Sequence, residues 1–141
     1  MIFVDTSAWF AVYSWRDVNH RSARAYLRET VEPLLTTDYV VDETLTLLRV
    51  KGFSARAAAF GRRIFDERSI LLVKVTESDL ERAWAVFRMF DDKGWSFTDC
   101  TSFAVIERLG IKKAFAFDHH FRQFGLVAVQ PTSTDGSTGQ T

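Results

Sequence analysis

A single cysteine, Cys100, rules out an internal disulfide. Neither sign of charge is in excess, since eighteen Lys and Arg face eighteen Asp and Glu. Proteins that coat nucleic acid without specificity carry a strong basic surplus, so that class is excluded. Any attraction to a polyanion must be local, or supplied by metal ions. No apolar run approaches the roughly 20 residues that cross a bilayer. The stretch Met1–Asp5 has no basic leader and meets an acid at once, which argues against a signal peptide. A soluble cytoplasmic protein without membrane contact is the expectation. No internal repeat and no second domain is visible. What is present is enough chain for a core: 141 residues with thirteen Phe and four Trp, a size that buries about two-thirds of its unfolded surface.

Short apolar runs alternate with amphipathic stretches. Ile2–Val4 reads as a buried strand that stops at Asp5, and Thr6–Tyr13 as the helix after it. Asn19 is placed to cap a helix over His20–Glu29, and Pro33–Thr37 reads as a second strand. A helix from Asp38 to about Lys51 stops at Gly52, with Val40, Val41, Leu47, Leu48 and Val50 as its stripe. Ser54 is placed to cap the next helix, which runs to about Glu67 with Ala58, Phe60, Ile64 and Phe65 inward. Ile70–Val75 reads as the third strand. Thr76 opens a long helix with Leu80, Ala83, Trp84, Phe87 and Phe90 inward. A helix starting near Thr98, its expected N-cap, carries Asp99, Ser102, Ile106 and Leu109 on one face and closes at Gly110. Lys113–Phe117 and Leu126–Val129 complete the strands. The pattern predicts an α/β three-layer sandwich: a parallel sheet of four or five strands with helices on both faces and right-handed crossovers.

In such sheets ligands bind beyond the carboxyl ends of the strands. Asp5 and Asp118 follow the first and fourth strands there. Glu43 and Asp99 lie in early turns of helices that follow strand ends, and both lean toward the apolar side. Each acid has an ordinary explanation by itself: Asp5 and Asp118 as N-caps, Asp99 as a complement to the helix dipole, Glu43 as a side chain reaching solvent. Four such placements at one sheet edge are harder to explain that way. Four carboxylates together repel and raise each other's pKa unless cations intervene. Hard oxygen ligands suit Mg²⁺ or Mn²⁺, which can activate water against a phosphodiester.

Four stretches, Ile2–Trp9, Thr37–Glu43, Ser96–Cys100 and Ala116–Phe121, come in an order and a context that resemble PIN-domain ribonucleases, and more narrowly the VapC toxins of bacterial toxin–antitoxin pairs. The resemblance covers residues 1 to about 130. It implies that Asp5, Glu43, Asp99 and Asp118 are metal-binding acids for Mg²⁺ or Mn²⁺, with an accessory hydroxyl at Thr6 or Ser7 and flanking hydroxyls at Thr98 and Ser102. Cys100 stands where relatives often carry Ala, and a packed thiol is expected. The implied activity is metal-dependent endonucleolytic cleavage of RNA. The implied partners are a VapB-type antitoxin lying across helices near the site and a second copy in a homodimer. Residues 131–141 carry Ser, Thr, Gly and Gln and no apolar side chain, which predicts a disordered tail outside a single domain of residues 1–130.

Weaker signals read more plainly. His119 and His120 look like a solvent-facing pair at the start of a short helix, and His20 like a surface residue. Arg56, Arg62, Arg63 and Arg68 look like a solvated helix face, while Arg49 and Lys51 are better placed to meet RNA near Glu43. Trp9 and Phe10 suit the core, but Tyr13 and Trp15 add aromatics beyond one core-facing stripe, so exposed apolar surface for a partner is expected. A dehalogenase-type phosphatase needs an acid where Ser7 stands, and a receiver domain needs one after the third strand, where the chain has Lys74-Val75-Thr76. A non-catalytic binding module on the same fold is the rival from a different class.

Overall fold

The computed structural model describes residues 1–132. Strand β1 (Ile2–Val4) lies at the centre of a five-stranded sheet. The others are β2 (Leu34–Thr37), β3 (Leu71–Val73), β4 (Lys113–Phe115) and β5 (Ala128–Gln130), in the order β3-β2-β1-β4-β5, with every neighbouring pair parallel. Ile2, Phe3 and Val4 are wholly buried, as a strand covered on both faces requires. The helices are α1 (Thr6–Tyr13), α2 (His20–Glu29), α3 (Asp38–Val50), α4 (Ser54–Gly61), α5 (Glu77–Met89), α6 (Phe97–Leu109) and α7 (His120–Phe124), with a π-helical segment at Arg62–Asp66 continuing α4.

The chain steps outward from β1 to β2 and β3, crosses back to β4, and steps the other way to β5. Right-handed crossovers then put α1–α4 on one face and α5–α7 on the other. This is the expected three-layer sandwich. The direction reverses between β1 and β4, which leaves a crevice beyond their carboxyl ends. On one side Trp9 packs on Phe60 at 5.1 Å. Its indole N–H donates to Thr36 Oγ1 (3.2 Å), whose hydroxyl donates to the Val4 carbonyl (3.0 Å). On the other side Phe103 stacks on Phe124 at 4.2 Å and meets Phe121 and Trp95 edge-on. Cys100 is a buried thiol.

Several local expectations shift. The third strand is shorter than Ile70–Val75, the fourth ends at Phe115 rather than Phe117, and the fifth is Ala128–Gln130. The cap of α6 is Ser96, not Thr98. Ser54 is the first residue of α4 rather than its cap, and Asn19 makes no side-chain cap to α2. Trp84 and Phe87 face outward on α5, at 53% and 39% exposure. Ala83 is buried as expected and Phe90 packs on the core, but the other buried residues of α5 are Asp79 and Val86; Asp79 makes a bidentate pair with Arg108 (2.8 Å for both hydrogen bonds). Phe65 is exposed because the π-helical turn holds an extra residue and advances the helix phase. Val50 and Leu109, each in a last helical turn, are also exposed. His20 is half-buried with Nδ1 2.7 Å from the Ala11 carbonyl oxygen, so it is not a free surface residue. Of the tail, residues 133–141 lie outside the described residues. Among the described residues, no helix is long and apolar enough to cross a membrane.

Candidate active site

Asp5 follows β1 directly and is 3% exposed. It does cap α1, because its Oδ2 accepts from the Ser7 N–H (3.1 Å). The same oxygen also accepts from the Ser7 hydroxyl (2.7 Å). Ser7 Oγ in turn accepts from the backbone N–H groups of Phe117 (3.0 Å) and Asp118 (3.3 Å). One hydroxyl therefore ties the exit of β1 to the exit of β4 across the crevice. Asp118 lies three residues beyond β4, and its Oδ1 accepts from the His120 N–H (2.8 Å) in the turn into α7.

Asp99 is the third residue of α6 and forms a capping box with Ser96: its Oδ2 accepts from the Ser96 N–H, and Ser96 Oγ accepts from the Asp99 N–H, both at 3.0 Å. Asp99 Oδ2 also lies 2.7 Å from His120 Nδ1, which is 3.1 Å from Asp118 Oδ1. His120, at 17% side-chain exposure, thus bridges two of the acids. His119 is exposed, with Nδ1 3.8 Å from Asp118. The expectation of a solvent-facing pair holds for His119 and fails for His120. A His two residues after an acid in a turn was the available signal, but only the approach of α6 to α7 supplies its second partner. Glu43 lies half-buried on α3, which packs against α6. The buried Thr6 hydroxyl lies toward Glu43 but makes no hydrogen bond of ordinary geometry, and the buried Ser102 hydroxyl is likewise unpartnered. Thr98 takes part through its carbonyl, which accepts from the Thr101 hydroxyl (2.7 Å).

Burial pushes the Asp5 carboxyl up to about 7; the charges of Asp99 and Glu43 add to this, and the Ser7 hydrogen bonds oppose it. Glu43 is raised by burial and by the charges of Asp99, Asp118 and Asp42. Asp99 is raised by burial and by Asp118, against its bonds to Ser96 and His120. The four acids therefore lie within each other's fields. Among the described residues, no Lys or Arg pairs with any of them. Their carboxylates are not all at ligand spacing. The trio with ligand atoms within 4.8 Å of one another is Asp118, His119 and His120.

Carboxylates raised by burial and by one another's charge, together with the unpartnered Thr6 hydroxyl beside Glu43, form a hard oxygen donor set that fits a divalent cation. A cavity of about 470 Å³ opens beside them, lined by Ser7, Phe10, Leu47 and Phe117–His120 among others. That is room for a substrate segment.

Comparison with known proteins agrees with this arrangement. The PIN domain family model matches residues 2–126. The chain is 38% identical over 133 residues to the 23S rRNA-specific endonuclease VapC20 of Mycobacterium tuberculosis, covering 93% of this chain and 99% of that protein. It is 36% identical over 124 residues to a VapC ribonuclease of Archaeoglobus fulgidus, covering 84% and 77% respectively. The crystal structure of M. tuberculosis VapC20, described as a sarcin-ricin loop cleaving toxin, superposes with a TM-score of 0.86 at 34% identity, over 93% of this chain and 100% of that one. The chain belongs to the PIN-domain family and, within it, to the VapC-type endoribonuclease toxins.

Proposed function

We propose that Asp5, Glu43, Asp99 and Asp118 hold Mg²⁺ or Mn²⁺ and that the site hydrolyses RNA by in-line attack of water on phosphorus, with no covalent intermediate. Asp5 and Asp99 are the principal ligands; Glu43 and Asp118 complete the shell or orient the water. Bound there, the ion supplies water activation and counter-charge for the leaving oxygen. Ser7 fixes the Asp5 carboxylate and anchors the Phe117–Asp118 backbone. His120 holds Asp99 and Asp118 in register. The unpartnered Thr6 hydroxyl lies toward Glu43, the Ser102 hydroxyl is buried on the Asp99 face of α6, and Thr98 shapes the turn that presents Asp99.

Likeness to the 23S rRNA-specific relative over nearly its whole length supports a structured ribosomal RNA loop as substrate. Relatives of this kind also support a VapB-type antitoxin as partner. We further assign a homodimer and a cytoplasmic location, where such an RNA would be met. The observation that carries the reading is the convergence of Asp5, Glu43, Asp99 and Asp118 within one another's fields, with no Lys or Arg paired to any of them among the described residues.

The test is Mn²⁺-dependent cleavage of purified ribosomal RNA, with the new ends sequenced. Asp5→Asn and Asp99→Asn should each abolish cleavage while circular dichroism shows a folded protein. Saturating Mn²⁺ should raise the wild-type melting temperature, since a ligand at 100 times its Kd contributes about 2.7 kcal/mol, and Asp99→Asn should lose that rise. Full activity in both variants would overturn the assignment.

A further inference from the structure

Away from the carboxylates, four arginines surround a cavity of about 360 Å³ between α1, α2 and α4. Arg24, Arg28, Arg56 and Arg63 line it, with Val12, Tyr13 and Leu27 making up the rest. Arg24 and Arg28 are one turn apart on α2 and share a face. Arg56 comes from the first turn of α4, and Arg63 from the π-helical segment that continues it. Two basic rows from different elements therefore meet over one hollow. The sequence alone presents Arg56 and Arg63 as a solvated helix face; the fold sets them opposite a second pair.

No acid lines this cavity, and among the described residues none of the four guanidiniums has a carboxylate within ion-pair distance. A guanidinium cannot shed its charge, and it offers five donors in a planar fork. Four together repel one another and share a surplus of unmatched donors. In a chain whose charges sum to zero, this is a local feature rather than general basicity.

We infer that the cavity is an accessory phosphate subsite that grips the RNA strand away from the scissile bond. The arginine fork matches phosphate oxygens bidentately. Asp5 caps α1 and Val12 lies seven residues further along, a distance of about 11 Å at a rise of about 1.5 Å per residue. A stacked strand covers that in roughly three phosphates, at about 3.4 Å per phosphate along one strand. An acidic peptide would meet the same guanidiniums, but the apolar lining that would anchor it is small, and Tyr13 already packs on Phe60. The inference rests on RNA being the substrate, as proposed above.

The test is fluorescence anisotropy with a labelled single-stranded RNA of about 16 nucleotides, in EDTA to prevent hydrolysis, across a NaCl series. Arg28→Gln/Arg63→Gln should bind at least tenfold more weakly, since tenfold is about the usual worth of a single charge-assisted hydrogen bond and two guanidiniums are removed. Its salt slope should be shallower by about 0.7 for each phosphate that is no longer neutralised. Arg28→Lys/Arg63→Lys should recover most of the slope. Cleavage of a trinucleotide, too short to reach the cavity, should be unchanged in all three proteins. Wild-type affinity and slope in the Gln variant overturn the inference. So does a Gln variant that keeps RNA binding and loses only binding to a polyglutamate peptide, or a wild type that binds no labelled RNA. Failure of the ribonuclease reading shows separately, as absence of Mn²⁺-dependent cleavage by the wild type.

Discussion

Replacing Asp5 by Asn should stabilise the metal-free protein while ending its activity. The Asp5 carboxyl is raised from the ordinary 3.8 to about 7, mainly by burial. Between those values the folded state holds a proton that the unfolded chain releases. Stability of the metal-free protein therefore falls as pH rises from about 4 to about 7, and the loss is complete above that. The difference corresponds to on the order of 4 kcal/mol, a large share of the roughly 5–15 kcal/mol that holds a domain together. Asn keeps an oxygen to accept from the Ser7 N–H and hydroxyl but carries no charge. Urea unfolding in EDTA, followed by tryptophan fluorescence, should show Asp5→Asn more stable than wild type at pH 8, by about half that figure or more, with the two converging near pH 4. A smaller slope should persist in the variant, because Glu43 and Asp99 are also raised. If Asp5→Asn is the less stable protein at pH 8, or if both proteins share one pH slope, the carboxylate is not held at a burial cost and the reasoning fails.

Two further outcomes follow from the hydrogen-bond geometry. Asp79 is held below its ordinary pKa, chiefly by the Arg108 guanidinium, so its contribution is present above about 3.8 and lost as pH falls through the depressed value. Asp79→Asn should cost about 2 kcal/mol at pH 7, below the usual figure for breaking a buried pair because the Arg108 side chain is 37% exposed. Equal urea midpoints at pH 7 would contradict this, and the gap should close toward pH 2. Ser7→Ala removes a donor to Asp5 and strands the Phe117 and Asp118 N–H groups, at about 1 kcal/mol for each hydrogen bond removed. Cleavage should drop at least tenfold and Ser7→Thr should restore much of it; a Ser7→Ala enzyme with wild-type kcat would remove Ser7 from the site.

The acids illustrate what a linear pattern can and cannot carry. Asp5 and Asp118 were legible because a carboxylate after a short apolar run marks the end of a parallel strand, and that edge is where such sheets bind ligands. Glu43 and Asp99 were legible from helical spacing alone. Caps and helix phases were less so. Ser96 and Thr98 are both plausible caps, and only the reciprocal bond with Asp99 decides between them. The inward set of α5 reads as largely aromatic by hydropathy, but Asp79, Ala83 and Val86 are the side chains buried and Trp84 and Phe87 are left exposed, with Asp79 paired inward to Arg108 across 29 positions.

The order of apolar runs, helix spacings and acids was sufficient to determine the alternation of strand and helix, the parallel sheet, and the end of it at which the carboxylates gather, because each depends on periodicity and near neighbours. The bridge of His120 between Asp99 and Asp118, the tie of Ser7 to the Phe117–Asp118 backbone, and the meeting of Arg24 and Arg28 with Arg56 and Arg63 were decided only in three dimensions. Each joins residues from different elements, 21 positions apart for His120 and Asp99 and 110 for Ser7 and Phe117. Pairings at that range are set by how helices and strands pack, and no local pattern encodes them.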